Sequence, residues 1–277
     1  MSLKTIVACL TTTESTPAVL AAALRLAERD EAHLIGLHVV PRVPIYGLAG
    51  AEFPAEAINR EEEALQQRAN AVEKIFAETT KGSSTATEWR CEQSPQADLA
   101  TGLLRYMPCA DLIVMSRLFG ADIDLDLVAD VVLGVGRPVL IIPRGGKPQE
   151  IGTRAVIAWN GRREAARAAF DALPLLKQAD SVRILTINPD DGGGGDGLSP
   201  GSDLAVALSR HGIKPETATS HPADISVGSD LLSRIADESC DLLVMGCYGR
   251  SRLREFIFGG VTREIMQHMT VPVLMSH

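Results

Sequence analysis

The residues of this chain best suited to chemistry lie near its end. There Gly246-Cys247-Tyr248-Gly249 is followed, nine residues after Gly249, by Gly259-Gly260-Val261-Thr262. Glycine lets backbone amides approach an anion with no Cβ in the way, and the free amides of a helix start add the positive end of its dipole. Gly259 and Gly260 directly precede a helical pattern running through Ile265 and Met266, so a phosphate chain could lie across both glycine segments. Thr262 supplies a hydroxyl there, and Arg250, Arg252, Arg254 or Arg263 could balance phosphate charge, although exposed arginines are usually just solvated.

Catalytic signatures are missing. There is no G-x-S-x-G elbow, no Walker loop and no His-rich metal cluster, so at most slow hydrolysis is expected and no residue is assigned a catalytic role. His211 and His221 have no evident acidic or nucleophilic partner and suit surface or packing roles. The five cysteines are scattered without a C-x-x-C pair, which points to reduced thiols rather than a disulfide framework or a zinc site. Only Cys247, beside the glycines, has a place that could expose it, and a buried thiol is the plainer expectation.

A phosphate loop needs elements to hold it. At 277 residues, 45% of them hydrophobic and 22% charged, the chain can bury one large core or two small ones. Self-similarity favours two. Ala110-Asp111-Leu112-Ile113-Val114-Met115 returns 130 positions later as Cys240-Asp241-Leu242-Leu243-Val244-Met245, and Arg137-Pro138-Val139-Leu140 returns as Val271-Pro272-Val273-Leu274. Thr5-Ile6-Val7-Ala8 resembles Ala155-Val156-Ile157-Ala158, and the apolar run 33–40 corresponds to 181–187.

Short apolar runs without alternation, separated by helical patterns, read as strands buried on both faces of a parallel sheet. The pattern predicts five strands in each half. In the first, Ser15 caps a helix whose first turn accepts Pro17, followed by a helix over 55–79, a strand over 85–91 and a helix over 96–106. In the second, a helix over 162–177 breaks near Pro174, and strands at 182–187, 216–220 and 242–246 alternate with helices near 203–211 and 230–237. Residues 147–152, edged by Gly145, Gly146 and Pro148, form the expected linker between units 1–146 and 152–277. The glycine-rich stretch 188–201 reads as a mobile surface loop; its three aspartates could touch a magnesium ion, but solvated linker charge is the simpler account.

Ligands of open parallel sheets bind beyond the carboxyl ends of the strands where strand order reverses, which directs attention to the loops after strands one and four of each half. The spacing Gly246-x2-Gly249-x9-Gly259 at that position resembles the nucleotide loop of the universal stress protein family, and the whole chain resembles a tandem member of it. The resemblance implies an α/β fold, adenine nucleotide alpha-hydrolase-like, of two tandem open-twisted five-stranded parallel sheets of order 3-2-1-4-5 with helices on both faces. It implies a stress-response or signalling protein that binds ATP or another adenine nucleotide, with or without magnesium. Ala158 and Asn160 would border the adenosine, Ile187 would pack on the base and Met245 would floor the site. Gly246, Gly249, Gly259, Gly260, Val261 and Thr262 would hold ribose and phosphates, while plain core packing also accounts for Ala158, Ile187 and Met245. Two positions depart from the family: Gly260 stands where Ser or Thr is expected, and Asn160 where an acidic residue is expected.

The first half lacks these features. Aligning Ala8 with Ala158 sets Leu10 against Asn160, and aligning Met115 with Met245 sets Ser116 and Phe119 against Gly246 and Gly249. Asp122, Asp124, Asp126 and Asp130 occupy the stretch that is basic and glycine-flanked in the second half, where carboxylates would repel phosphate. This half is therefore read as structural or regulatory. A scaffold of the same fold that binds no nucleotide, or a weak ATPase, are the alternatives.

Each half would leave its last strand open unless paired, so the halves are expected to dock through those edges as an intrachain pseudo-dimer, with homodimerisation of chains a further option. The charge of −8 opposes nucleic-acid partners. No apolar stretch approaches a membrane span and no signal-peptide pattern opens the chain, so a cytoplasmic protein is expected.

Overall fold

The computed structural model describes residues 2–43, 55–95, 98–117, 123–143, 150–188, 201–247 and 260–277. The first half runs β1 (Thr5–Cys9), α1 (Thr16–Asp30), β2 (His33–Val40), α2 (Ala55–Thr80), β3 (Thr87–Gln93), α3 (Leu99–Tyr106), β4 (Leu112–Ser116), α4 (Ile123–Val135) and β5 (Val139–Ile142). The second runs β6 (Arg154–Ala158), α5 (Arg163–Asp171), α6 (Leu173–Leu176), β7 (Ser181–Ile187), α7 (Ser202–Arg210), β8 (Pro215–Ser220), α8 (Val227–Asp237), β9 (Leu242–Gly246), α9 (Gly260–His268) and β10 (Val273–Ser276).

The strand order within each half is 3-2-1-4-5, all parallel. The two sheets are not separate. β5 and β10 pair antiparallel through Val139–Met275, Leu140–Leu274 and Ile141–Val273, which joins the described strands into one sheet of order β3-β2-β1-β4-β5-β10-β9-β6-β7-β8. The expected edge pairing is thus present, and it fuses the sheets because a fully buried apolar strand cannot leave one row of amides and carbonyls unmatched. Side chains cross the seam as well: Arg117 donates to the Met266 carbonyl at 2.5 Å and Gln178 to Asp30 at 3.2 Å. The outer edges are β3 and β8, where Glu88, Arg90, Glu92 and Glu216 supply charge that discourages further strand addition.

The repeat signal has a structural cause. Asp111 accepts from the backbone amides of Lys4 and Thr5, and Asp241 from those of Gly152, Thr153 and Arg154. In each half the aspartate before strand four ties down the entry to strand one with charge-assisted hydrogen bonds.

Pairing register corrects the alignment of the halves by one residue. Ile6 pairs Leu112 and Ala155 pairs Leu242, so Cys9, not Ala8, stands where Ala158 does. The next residues agree, because Leu10 donates to the Leu37 carbonyl as Trp159 does to that of Leu185. Leu10 therefore matches Trp159, and Thr11 matches Asn160.

Other local expectations also shift. Ser15 occupies the N-cap of α1 but its backbone is already helical and its hydroxyl makes no cap bond; it contacts Thr12 instead. The helix expected over 162–177 is two helices, with Pro174 in the first turn of α6. β3 begins two residues later than expected, and α3 begins at Leu99, capped by Asp98, whose carboxylate accepts from Ala100 and Thr101. Cys247 is buried, whereas Cys91 and Cys109 are exposed. Residues 144–149, which include 147–149 of the expected linker 147–152, and residues 189–200 of the expected loop 188–201 lie outside the described residues. No helix among the described residues is long and apolar enough to cross a membrane.

Candidate functional site

A cavity of about 290 Å³ opens at the carboxyl ends of β6, β7 and β9, at the point where strand order reverses in the second half. Its floor is Met245 and Gly246 at the end of β9, flanked by Ala158 from β6 and by Leu185 and Ile187 from β7. Gly260, Val261 and Thr262 of the first turn of α9 form one wall, and Val227 and Leu231 of α8 the other. Ala158, Asn160, Ile187, Met245, Gly246, Gly260, Val261 and Thr262, eight positions singled out from the sequence, meet here. Gly249, Gly259 and the arginines at 250, 252 and 254 lie outside the described residues; Arg263 is exposed on α9.

Each wall has a local cause. β6 ends where Asn160 Oδ1 accepts from the Arg162 backbone amide at 3.1 Å, while Gly161 takes φ 70°. This turn caps the first turn of α5 in place of Arg162, whose side chain makes no cap bond. Since Oδ1 is used internally, Asn160 has its amide donors left for a ligand. The half-buried Arg162 is the one cationic side chain among the described lining residues.

Gly246 has a different reason from the one its motif suggests. A Cβ built there would fall 2.5 Å from the backbone N of Ala165 and 2.5 Å from the backbone C of Glu164. The glycine therefore admits the backbone of α5 against the end of β9, whether or not an anion also approaches. Gly260 is the opposite case, since a Cβ on it meets nothing within 4 Å among the described residues.

The walls are tied together beside the cavity. Glu264 in the first turns of α9 accepts from the Ser226 hydroxyl at 2.6 and 2.7 Å and from the Ser229 hydroxyl at 2.5 Å, both on the N-terminal turn of α8. The serine hydroxyls hold its carboxyl below the usual range.

At the corresponding place in the first half, Cys9 and Leu10 are buried, and so are Leu37, Val39, Met115 and Ser116. Burial pushes the Cys9 thiol up to about 12, as expected of a dry position. Ala158, Trp159 and Ile187, by contrast, are only half-buried.

Trp159, Arg162, Val227 and Leu231 were not anticipated from the sequence. The signal for Arg162 was its place in an Asn-Gly-Arg turn directly after a strand, and for Val227 and Leu231 their i, i+4 spacing on a helix after the third strand. Among the described residues no group of three acidic, histidine or cysteine side chains is placed to hold a metal ion.

Two segments of the chain, residues 2–116 and 153–277, match the family model described as the universal stress protein family. Among solved structures, a universal stress protein from Archaeoglobus fulgidus superposes with a TM-score of 0.72 at 13% identity, covering 98% of this chain and 97% of its own. A putative universal stress protein from Pseudomonas aeruginosa reaches 0.59 at 14% identity, covering 99% and 93%. At such identities the likeness concerns the fold. No curated protein matches the sequence.

Proposed function

The chain belongs to the universal stress protein family, and on that premise we propose that its second half binds ATP or a related adenine nucleotide as a cytoplasmic stress-response or signalling protein. The observation that carries this reading is the cavity itself, which gathers eight of the ten positions implied by the family resemblance at one strand-order reversal. Ala158, Ile187 and Met245 offer an apolar seat for the base, and Asn160 offers donors to ribose or base. Gly260, Val261 and Thr262 present a helix start to phosphate, together with Gly246 and with Gly249 and Gly259 of the same motif. Arg162 adds one positive charge. In this reading residues 1–146 and 152–277 are separate domains fused edge to edge, the first structural, and the chain acts alone or as a homodimer.

One specific observation favours a second reading. Gly246 is already required by the approach of α5, and Asn160 Oδ1 is already committed to a turn, so both could persist in a scaffold that binds nothing. Calorimetric titration of ATP, ADP and AMP separates the two. Saturable binding of one nucleotide per chain is expected, and absence of heat with all three would leave the scaffold. ATP turnover above about 1 per second would instead indicate an enzyme.

A further inference from the structure

We propose that Glu264 is a positioning residue for the nucleotide cavity: held by Ser226 and Ser229, it pins the start of α9 to the start of α8 and so fixes the mouth between them. This rests on the nucleotide reading of the same cavity.

Among the described residues the two helices meet the cavity near their starts, α8 by Val227 and Leu231 and α9 by Gly260, Val261 and Thr262. The bodies of the two helices belong to one apolar cluster through Leu231 and Ile235 on α8 and Ile265 and Met266 on α9. Toward their starts the carboxylate of Glu264 adds a polar tie, accepting from both serine hydroxyls at 2.5–2.7 Å, while Ser226 Oγ also accepts from the Ser229 amide as the N-cap of α8. A carboxylate bridging two hydroxyls makes charge-assisted bonds, stronger than neutral ones.

The bridge also gives the site a direction. The Ser229 amide at the N-terminal turn of α8 is already bound by Ser226 Oγ, and the Glu264 carboxylate supplied by α9 lies against that turn. At the start of α9 Gly260 is exposed and Val261 half-buried, while Thr262, though it lines the cavity, is buried. Phosphates therefore belong at α9, and the base at the apolar side formed by Val227, Leu231 and Ile187.

The first half provides an internal contrast. Counting from the shared prolines Pro138 and Pro272, Asp130 stands where Glu264 does, and Asp98 is the N-cap of α3 as Ser226 is the N-cap of α8. There the carboxyl of Asp130 is pushed up by burial and then by the charges of Asp98 and Asp126. Where the second half has a carboxylate bound by hydroxyls, the first has a carboxyl under the influence of other carboxylates.

The test compares ATP with adenosine, titrated calorimetrically into the full chain and into Glu264→Ala, Glu264→Gln and a Ser226→Ala/Ser229→Ala double variant. A bridge that places α9 for phosphate is expected to make Glu264→Ala weaken ATP about tenfold and adenosine less than about threefold, because the start of α9 loses its charge-assisted tie to α8. The double variant should follow Glu264→Ala, and Glu264→Gln, which keeps a carbonyl acceptor, should recover part of the loss. Circular dichroism confirms that each variant is folded. Unchanged ATP affinity, equal weakening of ATP and adenosine, or tighter ATP binding on removal of the charge would each overturn the proposal. If the parent chain binds no ATP, the nucleotide reading falls first, an outcome visible before any variant is made.

Discussion

The two halves of the chain share strand order, register and the aspartate that anchors strand one, yet differ wherever the sheet opens at its carboxyl end. In the second half Ala158 and Ile187 border a cavity; in the first, Cys9 and Val39 at the same register positions are buried. Glu264 bridges two helix starts, while Asp130 meets carboxylates. Gly260 opens α9, and Asp126 stands at the same count from the shared proline in α4. The difference teaches that the fold is maintained by one set of residues and the cavity by another. The first set has been kept twice, the second once.

Breaking the comparison is easiest at Gly246. Replacement by valine forces a Cβ into the backbone of α5 and should cost about 3 kcal/mol, the upper end for overpacking, whereas Ser116→Gly at the matching site should cost under about 1 kcal/mol; thermal denaturation of both variants decides. Next come the anchors, where the halves should behave alike. Asp111→Ala and Asp241→Ala each remove charged acceptors of backbone amides and should each cost about 2 kcal/mol by denaturant titration. A large inequality between them would show that the halves do not share this device.

Gly260→Ser sharpens the contrast from the other side. It adds a hydroxyl in open space at the helix start and should tighten ATP by severalfold, a gain of about 1 kcal/mol in calorimetric titration. The smallest effects concern pH. Asp130 is raised above the usual carboxylate range, so its folded-state advantage is fullest in acid and is lost as pH rises through the raised value. Glu264 is lowered by Ser226 and Ser229, so its contribution is present above the usual range and is lost as pH falls through the lowered value. At neutral pH Asp130→Asn should stabilise the fold and Glu264→Gln destabilise it, each by less than about 1 kcal/mol because solvent screens both, with the two differences shrinking in acid as thermal denaturation would read them.

Much of the fold was legible because Asp111 and Asp241 repeat with the apolar strands that follow them, and both prolines before the last strands repeat too. The alignment of strand one slipped by a residue for a physical reason. β1 and β6 lie within the sheet, and runs such as Ile6-Val7-Ala8 carry no alternation to set register. The cavity was legible through the family spacing, but the role of Gly246 was not. A glycine announces a close approach without saying whether the neighbour is a phosphate or, as here, a helix backbone. Val227 and Leu231 join the site through tertiary packing, Trp159 and Arg162 through the turn that holds Asn160, and the Glu264 bridge links residues 35 and 38 positions apart in sequence.

The central claim is that the residues distinguishing the second half from the first make a nucleotide site. Calorimetric titration of ATP into the parent chain and into the triple variant Ala158→Cys, Trp159→Leu, Asn160→Thr, which installs the first half's Cys9-Leu10-Thr11 at the matched register, tests it most directly. One ATP per chain is expected in the parent and at least about tenfold weaker binding in the folded triple variant. No binding by the parent, or equal binding by both, would contradict the account.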